Sequence, residues 1–69
     1  MANIDVRFAA KAAGVPFWKL GEKMGVSEVT IVRRLRKELP PEKKQIYFQA
    51  IKDIVADRAK ADLESMKGE

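Results

Sequence analysis

Helix-breaking residues divide this chain of 69 residues into short segments. Gly14, Gly25 and the pair Pro40-Pro41 separate four segments, and none of them shows the apolar–polar alternation of a half-buried strand. Because a chain of this length supports a single core, we expect one compact all-α domain over residues 1–69. Four helices are predicted, with a fifth if the end of the chain folds separately.

Residues that favour helix ends set the expected boundaries. Asn3 and Ser27 are good N-caps for the first and third helices, and Gly14 is expected to end the first. Pro16 is expected in the first turn of the second helix, where its fixed φ is favourable. The predicted helices span about 4–13, 17–24 and 28–38, and a fourth begins at Pro41.

The predicted fourth helix carries an apolar arc of roughly 200° around its axis. Its members are Ile46, Tyr47, Phe48, Ala50, Ile51, Ile54 and Val55. One interpretation is a central core helix, and the other places part of the arc (Tyr47, Phe48 or Val55) against a second subunit. Residues 57–69 are predicted to form a frayed helical tail, in which apolar side chains keep a helical spacing only at Ala59, Leu63 and Met66.

The amino-acid composition argues against most enzyme classes. The chain has no cysteine and no histidine, so it lacks thiolate ligands, the commonest zinc ligand and the commonest general base. The acidic residues do not have the spacing of an acid–base pair or a metal site. We therefore expect no enzyme activity, catalytic residue, metal, cofactor or small-molecule substrate. With no apolar run near 18 residues and no signal-peptide layout at the start, a cytoplasmic protein without a membrane partner is predicted.

Positive charge is concentrated in the first two-thirds of the chain. Residues 1–44 carry ten basic and five acidic side chains, whereas residues 45–69 carry four basic and five acidic. Four of the basic residues crowd into the segment 33–37. A localised cationic surface indicates a polyanion partner, and a solvated helix face explains a short basic run about equally well. Lys43 and Lys44 are interpreted as solvated residues of the fourth helix's first turn.

The segment 17–36 reads as two short helices joined by a three-residue turn. Gly21 is small where the helices must cross closely, and Gly25 supplies the positive φ that turns the chain. Apolar residues lie one helical turn apart on each helix, and one lies in the turn itself: Leu20, Met24, Val26, Ile31 and Leu35.

This pattern resembles the helix-turn-helix of the Cro and repressor family of phage and bacterial regulators. Ser27 also matches the serine that is common at the start of that family's recognition helix. The whole chain is similar to the short Xre-like regulators of prophages and mobile elements, which implies a lambda-repressor-like fold with the motif at 17–37. One position departs from the family, whose third apolar anchor falls at Arg34, whereas here the apolar residue is Leu35. The rotation of the third helix therefore stays open.

A helical wheel gives the third helix one apolar side and one cationic side. Such a helix fits a major groove about 12 Å wide, and in this motif the N-terminal residues of the recognition helix reach the base edges. Base reading is therefore predicted for Val29, Thr30 and Arg33. Contacts to the DNA backbone are predicted for Ser27, Arg34, Arg36 and Lys37.

Trp18 has two interpretations. It is either a large part of a small core or a half-exposed indole whose N–H donates to a DNA phosphate. Because it lies away from the inner face marked by Leu20 and Met24, we expect the half-exposed indole. Lys19 and Lys23 are expected to add backbone contacts beside it.

These features and the resemblance predict a sequence-specific double-stranded DNA-binding protein, a small transcriptional repressor that reads the major groove with helix 28–38. The resemblance implies a homodimer on a two-fold site, formed through the fourth helix or the tail. It also implies that the protein, whether encoded by a bacterium or by a phage, is located in the bacterial cytosol in association with the nucleoid. Two alternatives are an architectural factor of the excisionase type and a protein-interaction module that uses the apolar face of the fourth helix.

Overall fold

The computed structural model describes the backbone of residues 2–67 and the side chains of residues 2–63. These residues form four α-helices, and no strand occurs among them. The helices are α1 (Ile4–Ala12), α2 (Phe17–Met24), α3 (Glu28–Arg34) and α4 (Pro41–Lys67). The all-α class predicted from the helix-breaking residues is therefore confirmed for this part of the chain.

One apolar core joins the helices. α2 packs against α3 and α4, and α1 packs against α4. Leu20 of α2 and Ile31 of α3 are fully buried, and α4 contributes Tyr47, Ala50, Ile51 and Ile54. Tyr47 thus lies inside the chain rather than against a second subunit. Of the residues considered for such a contact, Phe48 and Val55 keep accessible surface.

Two glycines permit the close packing of α2 and α3. Gly25 ends α2 in the left-handed conformation, with a φ of 75°, which glycine adopts without steric cost. A Cβ atom on Gly21 would lie 2.6 Å from the carbonyl oxygen of Val26, which is too close for a real contact. The predicted roles of both glycines, the sharp turn and the close approach, are confirmed.

All four helices start at the predicted residues, 4, 17, 28 and 41, but two of the three residues expected to favour these starts act differently in detail. Asn3 is the N-cap residue of α1 as predicted, and its carbonyl accepts from the N–H of Arg7 at 2.9 Å, but its side chain makes no capping bond. Pro16 occupies the N-cap of α2, one residue before the predicted first turn. Ser27 caps α3 as predicted, since its Oγ accepts a hydrogen bond from the N–H of Thr30 at 3.2 Å.

α3 is shorter than the predicted helix 28–38, because it ends at Arg34. In a longer helix the N–H of Leu39 would donate to the carbonyl of Leu35. The Asn3 side chain takes both groups: its Nδ2 donates to the Leu35 carbonyl at 3.0 Å, and its Oδ1 accepts from the Leu39 N–H at 2.9 Å. This contact between distant parts of the chain replaces a bond that the longer helix would make at its end.

α4 is one continuous helix of 27 residues. The predicted tail belongs to α4 as far as Lys67, and the described residues contain no fifth helix; the rest of the tail and the Met66 side chain lie outside them. Among the described side chains Ile54 is the last buried one, and residues 55–63 are all exposed. The second half of α4 therefore extends past the core, and the molecule measures 46 × 20 × 18 Å.

Candidate nucleic-acid interface

The turn between α2 and α3 is held by backbone bonds. The N–H of Val26 donates to the carbonyl of Gly21 at 2.8 Å, which closes the turn on the end of α2. Ser27 is extended, with a φ of −76° and a ψ of 159°, and its Oγ lies 2.9 Å from the hydroxyl of Thr30. The start of α3 is thereby fixed in direction relative to α2.

α3 buries one side and exposes the other. Ile31 and Leu35 are fully buried, whereas Val29 is 65% exposed. Arg33 is exposed, and Thr30 is half-buried. The three residues predicted to read bases therefore have accessible surface on the part of α3 that faces away from the core.

The open question of how α3 is rotated has an answer in the structure. Leu35 is fully buried, and Arg34 is exposed. Leu35 is the C-cap of α3, and its N–H donates to the carbonyl of Ile31 at 3.0 Å. The apolar anchor thus sits at Leu35, which directs Arg34 outward with the other cations.

Four cations cluster at the end of α3 and in the residues that follow it. Arg33, Arg34, Arg36 and Lys37 are all exposed. Among the side chains of residues 2–63, none of the four forms an ion pair. We call these four residues the cationic cluster. No ion pair among the described side chains neutralises their positive charge.

Trp18 and the two lysines beside it lie at the surface in different surroundings. Its indole is 54% exposed, so the predicted half-exposed side chain is confirmed. The Nζ of Lys19 lies 5.8 Å from the centre of the indole ring and 3.4 Å from Glu22 Oε1. Lys23 forms an ion pair of 3.1 Å with Asp57 of α4. Both lysines therefore have acidic partners that a phosphate would have to displace.

An ion-pair cluster that the local sequence pattern does not indicate joins α1, α4 and the segment between α3 and α4. The Lys44 side chain is only 17% exposed and contacts the carboxylates of Asp5, at 3.1 Å, and Glu38. The interpretation of Lys44 as a solvated residue is therefore wrong. Lys44 is 39 residues from Asp5 along the chain, so no helical periodicity connects them.

These contacts shift the titration of all three groups. The hydrogen bond from Lys44 lowers the pKa of Asp5. The backbone N–H of Asn3, followed by Lys44, lowers the pKa of Glu38. The hydrogen bonds to Glu38 and Asp5 raise the pKa of Lys44. The charged forms of all three groups are thus favoured in the folded chain.

Two further observations bear on the class of site. In the described part of the chain, no three acidic side chains lie close enough together to hold a metal ion. No helix of residues 2–67 is both long and apolar enough to cross a membrane.

Comparison with known proteins adds no relative. No family model, no curated protein and no solved structure matches the chain. A function for the chain therefore has to be inferred from the geometry of α2 and α3 and from their surface charges.

Proposed function

We propose that this chain is a sequence-specific double-stranded DNA-binding protein, a small transcriptional repressor of the Cro and Xre-like type. In this proposal α2 and α3 form a helix-turn-helix in a lambda-repressor-like domain, and α3 enters the major groove. The single observation that carries the proposal is the cationic cluster, four exposed side chains at the end of α3 and just after it that form no ion pair among the side chains of residues 2–63. Such a surface displaces counterions from phosphates.

The exposed side of α3 supports the assignment of base reading. Arg33 can pair bidentately with guanine O6 and N7, while Val29 and the Thr30 methyl group can contact a thymine methyl group. Ser27, Arg34, Arg36 and Lys37 then hold phosphates on either side of the groove.

Residues of α2 extend the same proposed surface. The exposed Trp18 indole donates to a phosphate oxygen, and Lys19 and Lys23 contribute after exchange of their acidic partners. Surface ion pairs are worth about 0–1 kcal/mol, so this exchange is inexpensive.

A homodimer is part of the proposal, because a single small module makes few phosphate contacts and binds weakly. The second half of α4 offers exposed apolar side chains at Val55, 41% exposed, and Leu63, 63% exposed. Pairing of two copies through this segment would present two α3 helices to one duplex.

The same exposed segment favours a second candidate function, a protein-interaction module. Ile46, 53% exposed, and Phe48 add apolar surface nearer the core. In this alternative α2 and α3 serve packing only, and a partner protein covers α4. Binding of such a partner would not depend on the cationic cluster.

The test is fluorescence anisotropy of a random-sequence duplex titrated with the protein at several salt concentrations. We expect affinity to fall steeply with salt, and the Arg36→Ala/Lys37→Ala double variant to reduce the slope of log K against log salt by about 2, at about 0.9 per phosphate contact. The control is Lys60→Ala, an exposed cation on the distal half of α4, which should leave the slope unchanged. Binding that is equal in all three proteins, or absent at low salt, would contradict the proposal.

A further inference from the structure

Asn3 is held in an unusual environment just before α1. Its side chain is fully buried, and its backbone is left-handed, with a φ of 57°. Asparagine is one of the few residues other than glycine that tolerates this conformation. The side chain leaves α1 uncapped and enters the segment between α3 and α4 instead.

The Asn3 amide makes three hydrogen bonds with that segment. Its Nδ2 donates to the carbonyls of Leu35, at 3.0 Å, and Lys37, at 2.8 Å. Its Oδ1 accepts from the N–H of Leu39 at 2.9 Å, and the Asn3 backbone N–H donates to Glu38 Oε1 at 2.8 Å. A side-chain amide has both the two donors and the acceptor that this arrangement requires. We call this set of four bonds the Asn3 clasp.

The clasp occupies the bond that a helix continuing to Glu38 would make at its end. The chain leaves the regular α-helical pattern at Arg36, whose N–H donates to the carbonyl of Arg33 at 3.3 Å. The Leu35 carbonyl and the Leu39 N–H are partners in a helix that continues to Glu38, and the Asn3 amide lies between them. Arg7 strengthens the arrangement, because its Nη2 also donates to the Leu35 carbonyl, at 3.1 Å. The clasp therefore stabilises a non-helical path of residues 36–38 in place of the longer helix that the local sequence favours.

Two members of the cationic cluster lie inside the clasped segment. Arg36 and Lys37 are between Leu35 and Leu39, and the Lys37 carbonyl is itself a clasp acceptor. If α3 continued through these residues, each would take a helical position about 100° from its neighbour. The clasp instead fixes the backbone of both cations in a non-helical path at the end of α3.

We infer that Asn3 is a positioning residue for the DNA-binding surface: it ends α3 at Arg34 and holds Arg36 and Lys37 where they reach phosphates. The part that concerns phosphates rests on the proposed function. The part that concerns the end of α3 does not, so the two are tested by separate measurements.

The experiment compares two variants of Asn3 with a control from the same region. Asn3→Asp keeps an oxygen acceptor for the Leu39 N–H and tolerates the left-handed backbone, but it removes both amide donors. Asn3→Gly keeps the backbone conformation and removes the whole side chain. The control, Val6→Ala, truncates a fully buried side chain of α1 that makes no clasp bond, so it lowers stability without touching the clasp.

The first measurement is the set of NMR Cα chemical shifts of residues 35–38 in the free proteins, below their unfolding temperatures. Both Asn3 variants should move these shifts toward helical values, whereas Val6→Ala should keep the wild-type shifts. The second is the slope of log K against log salt for a random-sequence duplex. Both Asn3 variants should reduce it by up to about 2, at about 0.9 per lost phosphate contact, and Val6→Ala should not.

Unchanged shifts in both Asn3 variants would overturn the inference that the clasp ends α3. Changed shifts with a wild-type salt slope would overturn the positioning role, because the cations would then work equally well without the clasp. Failure of the wild-type protein to bind duplex DNA at low salt would overturn the proposed function and this positioning role with it. In that case the shifts alone decide whether Asn3 ends α3.

Discussion

Gly21 is the position in α2 that most restricts substitution. Because a Cβ atom there would lie 2.6 Å from the Val26 carbonyl oxygen, the backbone of the turn must move to accommodate any side chain. We expect Gly21→Ala to reduce the free energy of unfolding by about 1–2 kcal/mol, the cost of overpacking less the gain in helix propensity. Urea denaturation of the variant and the wild type measures the difference.

Gly25→Asn is the matched control for that prediction. Nothing lies within 4 Å of a Cβ atom at Gly25, and asparagine tolerates its positive φ. Gly25→Asn should therefore unfold within about 0.5 kcal/mol of the wild type, the usual range for a surface substitution. Equal stability of Gly21→Ala and the wild type would show that the turn is not closely packed.

Arg33 is the residue whose loss should change sequence preference. Arg33→Ala is expected to weaken binding to a preferred duplex by about 1–3 kcal/mol and to relax the preference at one base pair. Selection of bound duplexes from a random pool, for the variant and the wild type, measures both effects. Arg34→Ala is the control, since loss of a phosphate contact should weaken binding to all duplexes alike. If Arg33→Ala and the wild type showed the same base preference, Arg33 would not be a base-reading residue.

The exposure of a side chain was predictable wherever its position on a single helix determines that exposure. Trp18 lies opposite the inner face of its own helix, so the local pattern was enough to predict a half-exposed indole. Asn3 and Lys44 behave differently because their partners lie more than 30 residues away, at Leu35 and Asp5. Periodicity within a helix carries no information about such pairs.

At the scale of elements, the Asp5–Lys44–Glu38 cluster makes stability depend on pH. The pKa values of Asp5 and Glu38 are lowered, so their contribution is present above the ordinary carboxyl range near pH 4 and is lost as pH falls through the folded values. The pKa of Lys44 is raised, so its contribution persists at neutral pH and is lost only in strong alkali.

Lys44→Met tests this cluster. Between about pH 6 and about pH 2 the wild type should lose more stability than the variant, because the variant has already lost the ion pairs. Thermal unfolding followed by circular dichroism across this range measures the difference. The control is Lys43→Met, an exposed neighbour with no ion pair among the described side chains, which should follow the wild type. Parallel curves for wild type and Lys44→Met would contradict the account.

Helix boundaries were predictable where local chemistry decides them. Gly25 ends α2, and Ser27 starts α3 through its own side chain. The end of α3 was mispredicted because a side chain from before α1 binds the Leu35 carbonyl and the Leu39 N–H, which would bond to each other in the longer helix. Tertiary contacts of this kind override a pattern that is locally consistent with a longer helix.

In the whole molecule, α4 provides the surface through which the proposed homodimer would form. The exposed second half of α4 gains little stability from its own backbone hydrogen bonds in water. Pairing with a second copy of the chain would bury Val55 and Leu63. Leu63→Lys should therefore shift the population toward monomer in sedimentation equilibrium and weaken binding to a two-fold DNA site. The control Lys60→Ala should keep the wild-type mass, and a monomeric wild type at high concentration would rule out this dimer.

An NMR titration with random-sequence duplex at low and then physiological salt shows whether α3 binds double-stranded DNA. If α3 binds DNA, we expect amide shift changes at residues 27–37 and at the Trp18 indole, which shrink as salt is added because phosphate contacts dominate non-specific binding. Changes confined to α4, or no change at low salt, would contradict DNA binding by α3.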